Sequence, residues 1–110
     1  MEPDSVEMER CIDSCLACYR RCVQTAMGHC LEAGGEHVEP RHFRLLVACS
    51  ELCRTAAHAM LVGVENQKFV CGACSMLCDD CATSCEGMEG MRECARACRQ
   101  CADSCARMAA

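Results

Sequence analysis

The sequence predicts an all-α fold, an antiparallel up-down four-helix bundle with a cysteine-lined core, filling residues 1–110 as a single metal-binding domain. Three observations point to it. The pattern Cys-x-x-x-Cys-x-x-Cys-x-x-x-Cys occurs three times, at Cys11, Cys15, Cys18 and Cys22, at Cys74, Cys78, Cys81 and Cys85, and at Cys94, Cys98, Cys101 and Cys105. Alternating steps of four and three residues are the period of one helix face, so each block lines its thiols in a narrow stripe. Ile, Leu, Val and Phe together number only 17 of 110 residues, against 16 cysteines. A hydrocarbon core of ordinary size is excluded, and protonated thiols, which pack as small hydrophobes, must supply the buried surface. Finally, helix start and stop signals cut the chain into four segments with short connections, the pattern of an up-down bundle.

The elements follow in order. Asp4 with Glu7 makes a capping-box-like start, and Gly34-Gly35 stops the first helix near Ala33. Pro40 suits the first turn of the second helix, which carries only Cys49 and Cys53, its stripe continuing through His42, Leu45, Leu46, Ala56 and Met60. A break from Gly63 to Asn66 precedes a third helix near 67–86, whose stripe Cys71 extends by one step. Gly87 to Gly90 separates it from a fourth near 91–108. Arg20-Arg21, Asp79-Asp80 and Arg99-Gln100 fall on the polar faces.

Compartment decides what sixteen cysteines are for. In a short secreted chain they would read as disulfides. Met1 to Arg10 is acidic and lacks the basic and apolar regions of a signal peptide, which points to a reducing cytosol and hence to metal or redox chemistry. Neighbouring thiols on one helix also project nearly parallel, an awkward geometry for a disulfide. A net charge of −5 recommends neither nucleic acid nor an anionic membrane, and no uninterrupted apolar run approaches a membrane span.

Residues three and four apart on a helix hold their Cβ atoms about 5–6 Å apart, so two thiolates can share a soft ion. Clustered thiolates without carboxylate select Cu(I), with zinc and iron–sulfur clusters as competitors. Isolated zinc quartets do not require a continuous ladder, and the ferredoxin run ending in Cys-Pro is absent, since neither Pro3 nor Pro40 follows a cysteine. Charge agrees: one Cu(I) per thiolate leaves the core neutral, whereas sixteen zinc ions would leave it sixteen charges positive and four zinc quartets eight charges negative. A zinc or metallothionein-like sink and an iron–sulfur electron-transfer protein stand as the alternatives. No acid–base or nucleophile constellation suggests an enzyme, and Cys71-Gly72-Ala73-Cys74 lacks the βαβ context of a redox Cys-x-x-Cys.

On these blocks, the chain resembles the cysteine-rich four-helix-bundle copper storage proteins, specifically their cytosolic branch without an export signal. The resemblance implies a homotetramer of bundles, each holding many Cu(I) ions along its core for storage or buffering, with copper chaperones as possible exchange partners. Its metal ligands would be Cys11, Cys15, Cys18, Cys22, Cys49, Cys53, Cys71, Cys74, Cys78, Cys81, Cys85, Cys94, Cys98, Cys101 and Cys105.

The ends of the ladder are read from the residues. His29 extends the Cys11–Cys22 stripe and His42 the Cys49–Cys53 stripe, and an up-down bundle puts both at one end, beside Met88 and Met91. Imidazole, thioether and thiol all ligate copper, so His29, His42, Met91 and Cys30 are candidate metal-admission residues. Cys30 lies roughly 90° from the mean direction of the first stripe, at about 100° per residue, and reads as readily as a surface thiol as a ligand. His37 is loop-borne, and His58 faces solvent. Met8, Met60 and Met108 are expected to close the other end by packing.

Overall fold

Asp4 opens the first helix, its Oδ1 accepting the Glu7 backbone N–H at 2.8 Å. The computed structural model describes residues 4–110. Met1, Glu2 and Pro3, part of the acidic N-terminal stretch, lie outside the described residues. Helix α1 (Ser5–Gln24) continues through a π-helical turn, Thr25–Cys30, into a last α-turn, Leu31–Ala33, and stops at Gly34 with φ +67°. A 3₁₀ turn, Gly35–Val38, leads to Glu39, whose carboxylate accepts the N–H groups of Arg41 and His42 at 3.0 and 3.1 Å. That cap and Pro40 in the first turn start α2 (Pro40–Val62), which ends on left-handed Gly63. Helices α3 (Gln67–Cys85) and α4 (Arg92–Ala109) follow within a residue of the expected bounds.

The four helices form a ring in which α1 lies against α2 and α4, and α3 against the same two neighbours. Short connections force adjacent helices antiparallel, and no strand occurs among the described residues. The body measures 44 × 21 × 19 Å, with the core along its long axis. Every helix turns its stripe inward, so all sixteen cysteines are buried and free of disulfides. On α2, Leu46, Ala56 and Met60 fill the places where the other helices carry sulfur. Outside, Arg99 of α4 bridges to Asp79 of α3 and to Glu86, the residue that caps α3, each at 3.0 Å.

Two features depart from expectation. Helix α2 is long and apolar enough, by length and composition alone, to cross a membrane, which a search for uninterrupted apolar runs misses. Its hydropathy comes largely from a face buried between α1 and α3. The second is the π turn. Its i→i+5 bonding takes in one residue more than an α-turn, rotating all that follows by about 100°.

Candidate metal centre

Each stripe contributes rungs at i, i+4, and the ring of helices brings the rungs together. Within helices, Cys18–Cys22, Cys49–Cys53, Cys74–Cys78 and Cys101–Cys105 approach at 3.8–4.0 Å between sulfurs. Across helices the approaches are closer: Cys53–Cys78 at 3.4 Å, Cys15–Cys105 and Cys49–Cys78 at 3.5 Å, Cys22–Cys98 at 3.6 Å.

These contacts assemble four quartets whose sulfurs all lie within 4.8 Å of one another. They are Cys15, Cys74, Cys101 and Cys105; Cys53, Cys74, Cys78 and Cys101; Cys18, Cys49, Cys53 and Cys78; and Cys18, Cys22, Cys49 and Cys98. A trio, Cys11, Cys71 and Cys105, completes the end near the chain termini, here the lower end. The quartets are not separate. Cys18, Cys49, Cys53, Cys74, Cys78, Cys101 and Cys105 each belong to two groups. A shared thiol must bridge ions, which suits a chain of monovalent soft cations and not four closed tetrahedra.

Protonation follows from the same packing. Donation by Cys105 holds the Cys11 thiol below the ordinary range, while Cys15 is pushed up first by its bond to Cys101, and Cys53 likewise by Cys101. Cys98 is raised first by Cys18. Each thiolate the network stabilises keeps its donors protonated, so the array cannot ionise as a whole without cations. Ligation must release protons.

The upper end differs. Cys81, Cys85 and Cys94 belong to none of the five groups, although Cys94 reaches Cys22 at 3.8 Å. His42 is 4 % exposed; its Nδ1 is 2.7 Å from Ser84 Oγ, and its buried Nε2 has no hydrogen-bond partner. If Nδ1–H donates to Ser84, Nε2 is left as a bare lone pair, the arrangement typical of a metal-ligating imidazole held by an outer partner. The expected position of His42 therefore stands. Met91 is fully buried, whereas His58 is exposed.

The π turn exchanges two residues. His29, expected on the stripe, is exposed, and its Nε2–H donates to the Glu89 carbonyl at 3.2 Å. Loop-borne His37 donates to the same oxygen at 3.0 Å, the two rings meeting edge-to-face at 4.9 Å. Gly90, at φ +80°, lies beneath them, and a Cβ there would lie 2.5 Å from His29 Nε2 and displace that ring. Cys30, in turn, is not a surface thiol. The added residue swings it inward to full burial, its Sγ 3.9 Å from Met91 Sδ. The signal was present as two successive steps of four, Cys22, Ala26, Cys30, with no step of three between them.

A family profile described as "Csp: Copper storage protein" matches residues 4–110. The chain belongs to the copper storage protein family. Among solved structures, the Nmul_A1745 protein of Nitrosospira multiformis is 50 % identical, with a TM-score of 0.95 over 96 % of this chain and 97 % of that one. The Cu(I)-bound copper storage protein BsCsp3 is 32 % identical, with a TM-score of 0.86 over 94 % of this chain and 99 % of that one. No curated protein sequence matches the chain significantly.

Proposed function

We propose that this chain stores Cu(I) along the bundle axis, without catalytic turnover, at a capacity near one ion per core thiol. The observation that carries the reading is the sharing of seven thiols between neighbouring groups. The copper held by the 32 % identical relative supports it. The ligands are the fifteen stripe cysteines already named, with Cys49 and Cys53 the sole thiols of α2. The protein acts in the cytosol, where free thiols persist, and exchanges copper with chaperones at the upper end, where His42, Met91 and Cys30 gather under the His29–His37 clamp. It works as a homotetramer. Exposed apolar side chains on the outer faces, among them Leu16, Val47, Leu61, Phe69 and Met76, are what self-association would cover.

Anaerobic Cu(I) titration against a competing chelator tests this. Uptake should continue to roughly the thiol count, with about one proton released per ion. Cys101→Ala, which removes a shared thiol, should lower capacity more than Cys85→Ala. Saturation near four ions, or preferential tight binding of Zn(II), would install the zinc reading instead, and a visible iron–sulfur band in the purified protein would install the electron-transfer one.

A further inference from the structure

The five sulfur groups account for twelve of the sixteen cysteines, and Cys94 is joined to them through Cys22. Cys30 is different: among the described residues its one hydrogen-bonded sulfur partner is a thioether, Met91 Sδ, at 3.9 Å. Both side chains are fully buried. Their meeting needs two separate features, the π turn that rotates Cys30 inward and the turn ending at Gly90 that delivers Met91 as the residue before α4.

The surroundings order this pair along a path. Outside it stands the carbonyl of Glu89, two residues before Met91, held by His29 and His37 at the surface. Inside it lies Cys94, three residues beyond Met91 on α4, its Sγ 3.8 Å from Cys22 Sγ in the ladder. The pair therefore sits between solvent and the ladder.

Its chemistry also differs from the ladder's. One thiolate and one neutral thioether balance a single Cu(I), with no second thiolate to bridge onward. On binding, Cys30 loses its proton to solvent and forms an S–Cu bond, and Met91 donates a sulfur lone pair; no electron is transferred. A thioether is a weaker donor than a thiolate, so an ion here is held less tightly than one bridged by ladder thiolates.

We infer that Cys30 and Met91 form a discrete exchange site for one Cu(I) ion, filled after the ladder and emptied before it, through which copper passes between the surface and Cys94. This rests on the storage reading and adds a site of distinct ligand type and lower affinity.

The test is anaerobic Cu(I) titration of the full chain labelled with ¹³C-methyl methionine, with the Met91 resonance assigned by its absence in Met91→Leu. The Met91 methyl signal should shift only in the last equivalents of copper and revert first when a chelator is added, while Met60 and Met108 stay still. Cys30→Ala should abolish that shift and lower capacity by one ion. Met91→Leu should slow chelator removal of copper from the rest of the core. Because the wild-type spectrum alone reads the Met91 shift, misfolding of a variant cannot mask the answer. If the chain fills to about its thiol count while the Met91 signal never moves, or if Cys30→Ala keeps full capacity, the exchange site is wrong and storage stands. If the chain takes up no Cu(I), both fall together.

Discussion

At the lower end of the bundle, Met60 and Met108 are buried and Met8 packs beside them, over the compact trio of Cys11, Cys71 and Cys105. At the upper end the ladder passes instead into Cys85, Cys94, Cys30, Met91 and His42, a mixture of thiol, thioether and imidazole outside the compact groups. A groove of about 620 Å³ reaches Cys85 there, lined also by Met88, Gly90, Arg92, Arg96 and Arg99. One sulfur column is thus finished by hydrocarbon-like packing below and by weaker, mixed ligands above. Closure below favours retention and ligand variety above favours exchange, so a reservoir can be tight and still accessible.

The largest effect expected is that of copper itself, which should reduce the contrast between the ends. A single site at about a thousandfold excess of free ligand over Kd adds about 4 kcal/mol to stability, and this core holds many sites. Thermal denaturation of reduced apo- and copper-loaded protein should differ by on the order of 15 °C or more. The apo-protein should nonetheless be helical by far-UV dichroism, since its caps and stripes do not depend on metal. Hydrogen exchange should be faster at the upper end without copper and nearly even once loaded. Equal melting temperatures for the two forms would contradict metal binding in the core.

Next in size is damage to the closed end. Met60→Ala removes a side chain only 3 % exposed and should cost the apo-protein about 2–5 kcal/mol in denaturant titration. Copper uptake rates in the fraction that remains folded should be unchanged. Faster uptake in this variant would show that the lower end is a second mouth and would dissolve the contrast.

Smaller in free energy, but specific to the upper end, is replacement of both His29 and His42 by leucine. Stopped-flow uptake and chelator-driven removal should slow about tenfold, a barrier increase of about 1.4 kcal/mol, with final stoichiometry nearly unchanged. The structure divides the roles: His29 holds the Glu89 loop from the surface, and His42 offers Nε2 from within. Single substitutions should therefore each produce part of the effect. Wild-type rates in the double variant would move the admission site elsewhere.

The stripes, the four helices, their bounds to within a residue or two and the closed lower end were legible because they depend on period and capping, which are local. Cys18, Cys49 and Cys101 could be placed inside from spacing alone. Which sulfurs share a quartet could not, because the closest approaches are between helices and depend on axial register. His29 and Cys30 were interchanged for a different reason. A period of 3.6 carried through residues 25–30 gives the wrong face once a π turn takes in an extra residue. The Glu39 cap and the Ser84 partner of His42 were likewise invisible, the first because Glu is an uncommon cap, the second because it pairs residues 42 positions apart.

The smallest expected effect tests whether acid sensitivity belongs to the upper end. Burial, and secondarily the nearby His37, push the His42 imidazole below its ordinary range, while Cys94, Glu39 and Glu36 act in the opposite direction without overcoming it. The folded apo-protein therefore keeps His42 neutral at a pH where the unfolded chain, with an imidazole near pKa 6.5, already takes up a proton. Because the folded value is the depressed one, the stability at stake is present above about pH 6.5 and is lost as pH falls toward that lower value. Denaturation midpoints of the reduced apo-protein, measured from about pH 7.5 to pH 5, should fall toward acid more steeply in the wild type than in His42→Phe. Ser84→Ala, which leaves the imidazole buried but removes its Nδ1 partner, should lower stability at both ends of the range while keeping an acid dependence. Met60→Leu, a volume-conserving change at the lower end, should parallel the wild type throughout. Identical slopes for wild type and His42→Phe would mean that the acid response comes from groups other than His42, and the upper end would be distinguished from the lower by its ligands alone.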